Sequence, residues 1–167
     1  MDIWPYEERH FFREREIRPI LQEGPTCVSY CLAMMTGQDP RHFIDLMEEG
    51  KLNIQDPRTW SDALRPFGMK LAYVPSDIRK MRYYLQDLID TDDLFALCYY
   101  SSTDPKELLK EPDTDGWLTS SHIVLLQGDM IYDSKTGEGS EAWEHECCDC
   151  HTKRMFRVVP WGEMRGL

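Results

Sequence analysis

The spacing of apolar residues in the first third of the chain predicts two helices. Residues 26–36 are apolar on nearly every side of a helix, which indicates a helix buried in the core. Thr26 is a candidate N-cap for this helix, and Gly37 is a candidate stop. The pair Asp39-Pro40 then supplies the cap and first turn of a second helix over 41–49, whose apolar side chains fall on one face.

The rest of the chain predicts mainly strands. Two more helices are expected, at 59–64 and at 77–89 with Ser76 as its cap. Alternating or continuous apolar runs predict strands at 69–74, 94–100, 122–126, 130–132 and 154–159. A tight turn is expected at Gly128, and the polar stretch 101–119 is expected to form a surface excursion. Helices that precede strands indicate an α+β domain, with the first helix packed on a mostly antiparallel sheet.

Length and charge narrow the possible functions. The chain has 167 residues, which predicts one domain over 1–167, with a charged extension at 1–20 and an unassigned segment at 138–167. Its net charge of −11 argues against nucleic acid, because phosphate binding needs a basic face. No apolar run is long enough to span a bilayer, and the N-terminus lacks the features of a signal peptide. We therefore expect a cytoplasmic protein with neither nucleic-acid nor membrane partners, and export by a specialised secretion system is left open.

Six cysteines are present, and three of them lie close together at Cys147, Cys148 and Cys150, followed by His151. This crowding does not resemble a disulfide framework, so free thiols are expected. The cluster invites a metal interpretation, but a zinc site usually needs two ligand pairs separated by a loop. The alternative is an exposed, redox-sensitive loop, and we expect neither a metal nor another cofactor.

The strongest candidate for chemistry is the segment Gln22-Glu23-Gly24-Pro25-Thr26-Cys27. Cys27 opens the first predicted helix, where the positive end of the helix dipole favours the thiolate, which is the attacking species. Gln22 would donate a side-chain N–H to an oxyanion, with the backbone N–H of Cys27 as the second donor. This segment therefore predicts a thiol nucleophile with its oxyanion hole.

A histidine and an aspartate downstream complete the constellation. His122 begins an apolar strand, where it can act as general base and partner of the thiolate. The chain turns at Gly128 and returns to Asp133, which would accept the imidazole N–H and fix the tautomer of His122. The other four histidines lie in polar segments and are expected to be exposed. They are His10, His42, His145 and His151.

These motifs resemble a known family. The segment from Gln22 to Cys27, with the helix that follows it and its Thr-Gly stop, is similar to the nucleophile segment of papain-like cysteine peptidases. It looks most like the compact bacterial peptidase C39-like group, known for bacteriocin-leader peptidases, and it also resembles Josephin deubiquitinases. The likeness spans about 18–137 and implies a papain-like fold. It maps Gln22 to the oxyanion residue, Cys27 to the nucleophile, His122 to the base and Asp133 to the orienting residue.

Three functions are compatible with these residues. The first is a thiol hydrolase that cleaves a peptide or isopeptide bond of a peptide or protein substrate through an acyl-enzyme. The second is an acyl or amide transferase, or a glutamine deamidase, with the same triad. The third is a non-catalytic binding module on this fold, which the intact set of four residues disfavours. The acidic composition favours a basic substrate or partner face, and the oligomeric state is left open.

Overall fold

The computed structural model describes residues 9–49, 54–101, 121–163 and 166 and shows a mixed α/β domain. Its four α-helices within these ranges are α1 (Cys27–Thr36), α2 (Pro40–Ile44), α3 (Pro57–Leu64) and α4 (Arg82–Thr91). Its six strands there are β1 (Met69–Val74), β2 (Leu94–Tyr100), β3 (Ser121–Gln127), β4 (Met130–Asp133), β5 (Glu138–Glu141) and β6 (Thr152–Pro160). Most of the predicted excursion at 101–119 lies outside the described residues. Among the described helices, none combines the length and the apolar character needed to cross a bilayer.

The six strands form one antiparallel sheet in the order β1-β6-β2-β3-β4-β5. The last strand of the chain, β6, pairs with both β1 and β2 and therefore lies inside the sheet. The segment 138–167, in which the sequence predicted only a strand at 154–159, contributes this strand and the edge strand β5. The predicted antiparallel sheet is confirmed, and all five strands expected from the sequence are present.

Both faces of the sheet are covered, and the central strands show why. Successive residues of β2 and β3 alternate between two separate apolar clusters. The first face, packed against α1 and α3, takes Leu94, Ala96, Cys98, Ile123 and Leu125. The second face, packed against α4, takes Phe95, Leu97, Tyr99, Val124 and Leu126. Because neither face meets water, these strands read as continuous apolar runs in the sequence.

The ends of α1 differ in how well the sequence predicted them. Gly37 adopts a left-handed conformation with φ of 79°, and its N–H bonds to the Ala33 carbonyl at 2.9 Å, so the predicted stop is confirmed. Thr26 lies at the N-cap position, but the predicted side-chain cap is wrong. Its hydroxyl donates instead to the Glu23 carbonyl at 2.6 Å and closes the turn that precedes the helix.

The start of α4 was also predicted wrongly. The helix begins at Arg82, not at Asp77, because residues 79–81 pair with the chain near His151. The Arg79 carbonyl accepts from the Thr152 N–H at 2.8 Å, and Lys80 forms an isolated β-bridge with His151. Contacts to a segment about 70 positions away therefore override the local helical pattern.

A buried ion pair ties the first described residues to the sheet. Arg157 of β6 donates through Nε and Nη2 to one oxygen of Asp93, at 3.1 and 2.6 Å, and neither side chain is exposed. The Asp93 carboxylate also accepts the backbone N–H groups of Phe11 and Phe12, at 2.8 and 2.7 Å. The pair thus holds part of the predicted extension at 1–20 next to the first residue of β2.

We expect Asp93→Asn to lower the free energy of unfolding by about 3–5 kcal/mol, because it leaves a buried guanidinium without its counter-charge. The neighbouring Asp92→Asn is a matched control. Asp92 pairs with Arg13 at 3.4 Å with both side chains about half exposed, and its φ of 54° is one that asparagine tolerates. Its loss should cost under about 1 kcal/mol. Urea unfolding measures both, and equal losses would contradict the buried pair's role.

Candidate active site

The hairpin of β3 and β4 brings His122 and Asp133 together. Gln127 pairs with Met130 across a two-residue turn, where Gly128 adopts a φ of 59°. From this turn both strands run toward the same end of the sheet, where His122 Nε2 lies 2.6 Å from Asp133 Oδ1. Because adjacent residues of the chain form this turn, the sequence alone was sufficient to predict it.

His122 also contacts the helix layer. Cys27, the first residue of α1, lines the same cleft as His122 and contributes to the raised pKa of its imidazole. Because Nε2 is engaged by Asp133, the ring nitrogen left for Cys27 is Nδ1. The side chain of His122 is 10% exposed, so the ring is largely shielded from water.

The charge state of His122 reflects these contacts. Burial disfavours the imidazolium, but the hydrogen bonds to Asp133 and Cys27 outweigh it and raise the pKa of His122 to about 9. Burial likewise disfavours the carboxylate of Asp133. Hydrogen bonds from His122, from His145 and from the Lys135 N–H nevertheless hold the pKa of Asp133 well below its usual range. The pair is therefore an ion pair near neutral pH.

His145 is a site residue that the sequence analysis missed. It was expected to be exposed, yet its side chain is 7% exposed and its Nε2 lies 2.8 Å from Asp133 Oδ2. Its Nδ1 accepts the backbone N–H of Cys147 at 3.0 Å, so the proton of a neutral ring is on Nε2 and is donated to Asp133. The contact depends on the fold of the chain after β5, and no local pattern signals it.

The other histidines vary in exposure. His10 and His42 are exposed as predicted, whereas His151 is half-buried.

The ring of a buried tyrosine packs against both imidazole rings. Tyr99 of β2 meets the rings of His122 and His145 edge-on, with centroids 5.7 and 6.1 Å apart. Its hydroxyl donates to Glu146 at 3.0 Å. The rings are therefore fixed by packing as well as by hydrogen bonds, which limits their rotation.

Gln22 is fixed to the turn that follows Asp133. Its backbone N–H donates to the Ser134 carbonyl at 2.7 Å, and its side-chain oxygen accepts from the Ser134 hydroxyl at 2.6 Å. Its Nε2 donates to the Gly24 carbonyl at 3.0 Å. One amide hydrogen of Gln22 is thus engaged within the loop before Cys27, and one is left.

A cleft of about 100 Å³ opens beside Cys27 and His122. Its apolar lining includes Val28, Ile54, Trp60 and Ile123. Gln22 is not among the lining residues that the structure describes. The cleft offers the thiol an apolar recess with room for a small side chain.

The cysteine cluster near the C-terminus is buried rather than exposed, so that expectation was wrong. Cys147, Cys148 and Cys150 are each at most 8% exposed and lie in or beside a short 3₁₀ helix, Glu146–Asp149. The Cys148 thiol donates to the Ala142 carbonyl at 3.1 Å. The hydrogen bond to Cys148, together with burial, raises the pKa of Cys147. Within the described ranges, no group of three or more His, Cys, Asp or Glu side chains is arranged to hold a metal ion.

We expect His122 to titrate with a pKa of about 9 in the folded protein, observed by NMR of ¹³C-labelled imidazole. Asp133→Asn should bring this pKa below the ordinary value of about 6.5, because burial then prevails. Since folding raises the pKa, the stabilisation by His122 is fully present below pH about 6.5 and is lost as the pH rises through about 9. Asp129→Asn, an exposed site at the other end of the hairpin, should change nothing. A His122 pKa that ignores Asp133→Asn would contradict the ion pair.

The predicted site residues thus fall into two linked groups. His122, Asp133 and His145 form one hydrogen-bonded chain, and Cys27 lines the same cleft as His122. Gln22 is joined to this chain through Ser134, the residue after Asp133. Comparison of the chain with models of known families and with curated proteins gives no match.

Proposed function

We propose that the protein is a thiol hydrolase on a papain-like fold, similar to the peptidase C39-like group, which cleaves a peptide or isopeptide bond. The observation that carries the proposal is the position of His122, which is hydrogen-bonded to Asp133 and lines the same cleft as the Cys27 thiol. A nucleophile, a base and a group that orients the base are the parts that acyl transfer needs. The packing of α1 on an antiparallel sheet supports the fold proposed.

In the first step the Cys27 thiolate, whose proton is already held by the His122 imidazolium, attacks the substrate carbonyl carbon. A C–S bond forms, and the carbonyl electrons move onto its oxygen. Asp133 keeps its charge throughout and stabilises the imidazolium. His122 then gives the proton to the leaving amine as the C–N bond breaks, which leaves an acyl-enzyme on Cys27.

Water completes the reaction. His122 accepts a proton from water, whose oxygen attacks the thioester carbonyl. The intermediate collapses with loss of the Cys27 thiolate, which is the leaving group, and the acid product departs. The two hydrogen bonds of Asp133 to imidazoles favour this cycle because they keep the His122 ring from turning between its roles.

The charge on the carbonyl oxygen needs donors. The backbone N–H of Cys27, at the first turn of α1, and the remaining amide hydrogen of Gln22 are assigned to this oxygen. The hydrogen bond from Ser134 to the Gln22 carbonyl oxygen fixes which end of the amide carries the donor. A fixed donor stabilises the oxyanion without reorganisation at the moment of reaction.

The activity is tested by exposing a peptide mixture to wild-type protein and to Cys27→Ala, with new amino termini identified by mass spectrometry. We expect new termini only with wild type. Release of ammonia with no new terminus would contradict peptide hydrolysis and would indicate deamidation. Equal products from both proteins would exclude Cys27 as the nucleophile.

Gln22→Ala should lower turnover by roughly a hundredfold, because its donor acts on charge that appears only in the transition state. Ser134→Ala is the matched variant, since it keeps the Gln22 donor but removes the hydroxyl that orients it. It should lower turnover by about tenfold. Steady-state kinetics on a cleaved peptide gives kcat for each, and thermal melts report folding. Full activity in Gln22→Ala would remove the oxyanion role, and a much lower melting temperature would make Gln22 a loop anchor.

A further inference from the structure

The Cys27 cleft is lined by two cations as well as by apolar groups. Lys153 and Arg154, consecutive residues of β6, both line it. Neighbouring residues of a regular strand point to opposite faces, so this arrangement needs a cause. The chain as a whole is strongly acidic, which makes two adjacent cations beside the thiol an exception to its surface.

A β-bulge provides the cause. Cys98 of β2 pairs with Arg154, whereas the next residue, Tyr99, pairs with Thr152. Lys153 is therefore the extra residue, with no partner on β2. A bulge re-aims a side chain and is over-represented beside active sites. Here it lets both cations reach one cleft.

Neither cation forms an ion pair with a carboxylate within the described residues. Lys153 Nζ donates to the Ser121 hydroxyl at 3.3 Å, and Arg154 Nη2 donates to the Gln55 carbonyl at 3.2 Å. Both acceptors are uncharged. Arg154 Nε is buried and has no acceptor among the described residues. A buried charged donor without an acceptor is costly, and a ligand oxygen would relieve that cost.

An aromatic ring lies beside each of the two cationic groups. The Arg154 guanidinium lies 5.7 Å from the centre of the Trp60 ring, and Lys153 Nζ lies 6.0 Å from that of Tyr100. Burial, and then the charge of Arg154, lower the pKa of Lys153. The positive charges of Lys153 and Arg154 therefore lie close together and are partly shielded from water.

We propose that Lys153 and Arg154 form an anion subsite that selects substrates with a carboxylate next to the acyl group attacked by Cys27. The inference rests on the proposed function, since it names the substrate class of the same cleft. Guanidinium and ammonium groups are the protein groups that best bind carboxylates. The carboxylate belongs to an acidic side chain or to a chain terminus, which share this chemistry.

A binding test does not require catalysis. The Arg154 Nε–H signal, assigned by its loss in Arg154→Lys, is followed by ¹⁵N NMR during titration with three compounds. N-acetylglutamate α-amide carries a side-chain carboxylate, N-acetylglutamine a terminal one and N-acetylglutamine amide none. We expect one of the two acids to move the signal and the neutral amide to leave it in place. Which acid acts identifies the source. Equal effects of all three, or none from either acid, would overturn the subsite.

A reactivity test uses the thiol itself. Iodoacetate and iodoacetamide have nearly the same shape and differ in charge. The ratio of the iodoacetate rate to the iodoacetamide rate at Cys27 therefore does not depend on how much of the thiol is ionised. We expect Lys153→Gln with Arg154→Gln to lower this ratio by roughly tenfold, and each single change by about threefold. Lys153→Arg and Arg154→Lys should retain it because they keep the charge.

Lys80→Gln is the control, since it removes an exposed lysine that does not line the cleft. A ratio that falls as much in Lys80→Gln as in Lys153→Gln would overturn the subsite, as would no change in the double variant. Failure of Cys27 to react with either reagent in wild type would instead count against the proposed nucleophile. The NMR titration still decides the subsite in that case.

Discussion

The candidate active site is arranged around the buried carboxylate of Asp133. Each of its oxygens meets one imidazole, from His122 and His145, and the Lys135 N–H adds a third donor. A charge at this depth is stable only when its lone pairs are satisfied. The three donors meet that need, and in doing so they fix the ring that faces Cys27.

This constraint links distant parts of the chain. His122 and Asp133 belong to one hairpin, whereas His145 comes from the turn after β5 and orders the 3₁₀ helix through the Cys147 N–H. Gln22 joins from the N-terminal side through Ser134. The ring of His122 and the segment that precedes Cys27 are thus held by contacts that converge on a single turn, and Tyr99 packs against both imidazole rings.

The sequence predicted what depends on neighbours along the chain. The strands at 69–74 and 94–100 match β1 and β2 in their bounds, and the hairpin at Gly128 is correct, because apolar alternation and turn chemistry are local. The start of α4 and the place of His145 were not predictable in this way. Both depend on residues of the C-terminal segment that approach only in the folded protein.

Composition does not show where individual charges lie in the fold. The net charge of −11 favoured a basic partner, yet the cleft beside Cys27 presents Lys153 and Arg154. The difference arises from a one-residue shift between β2 and β6, which composition does not record. The bulge places both cations at the cleft, whatever the overall charge of the chain.

The most direct test of the central claim is to treat the protein with a peptide that carries a thiol-directed electrophile and to map the modified residue by mass spectrometry. We expect one adduct, on Cys27, which forms much more slowly in His122→Ala. An adduct on Cys148 or another cysteine, with Cys27 unmodified, would contradict it.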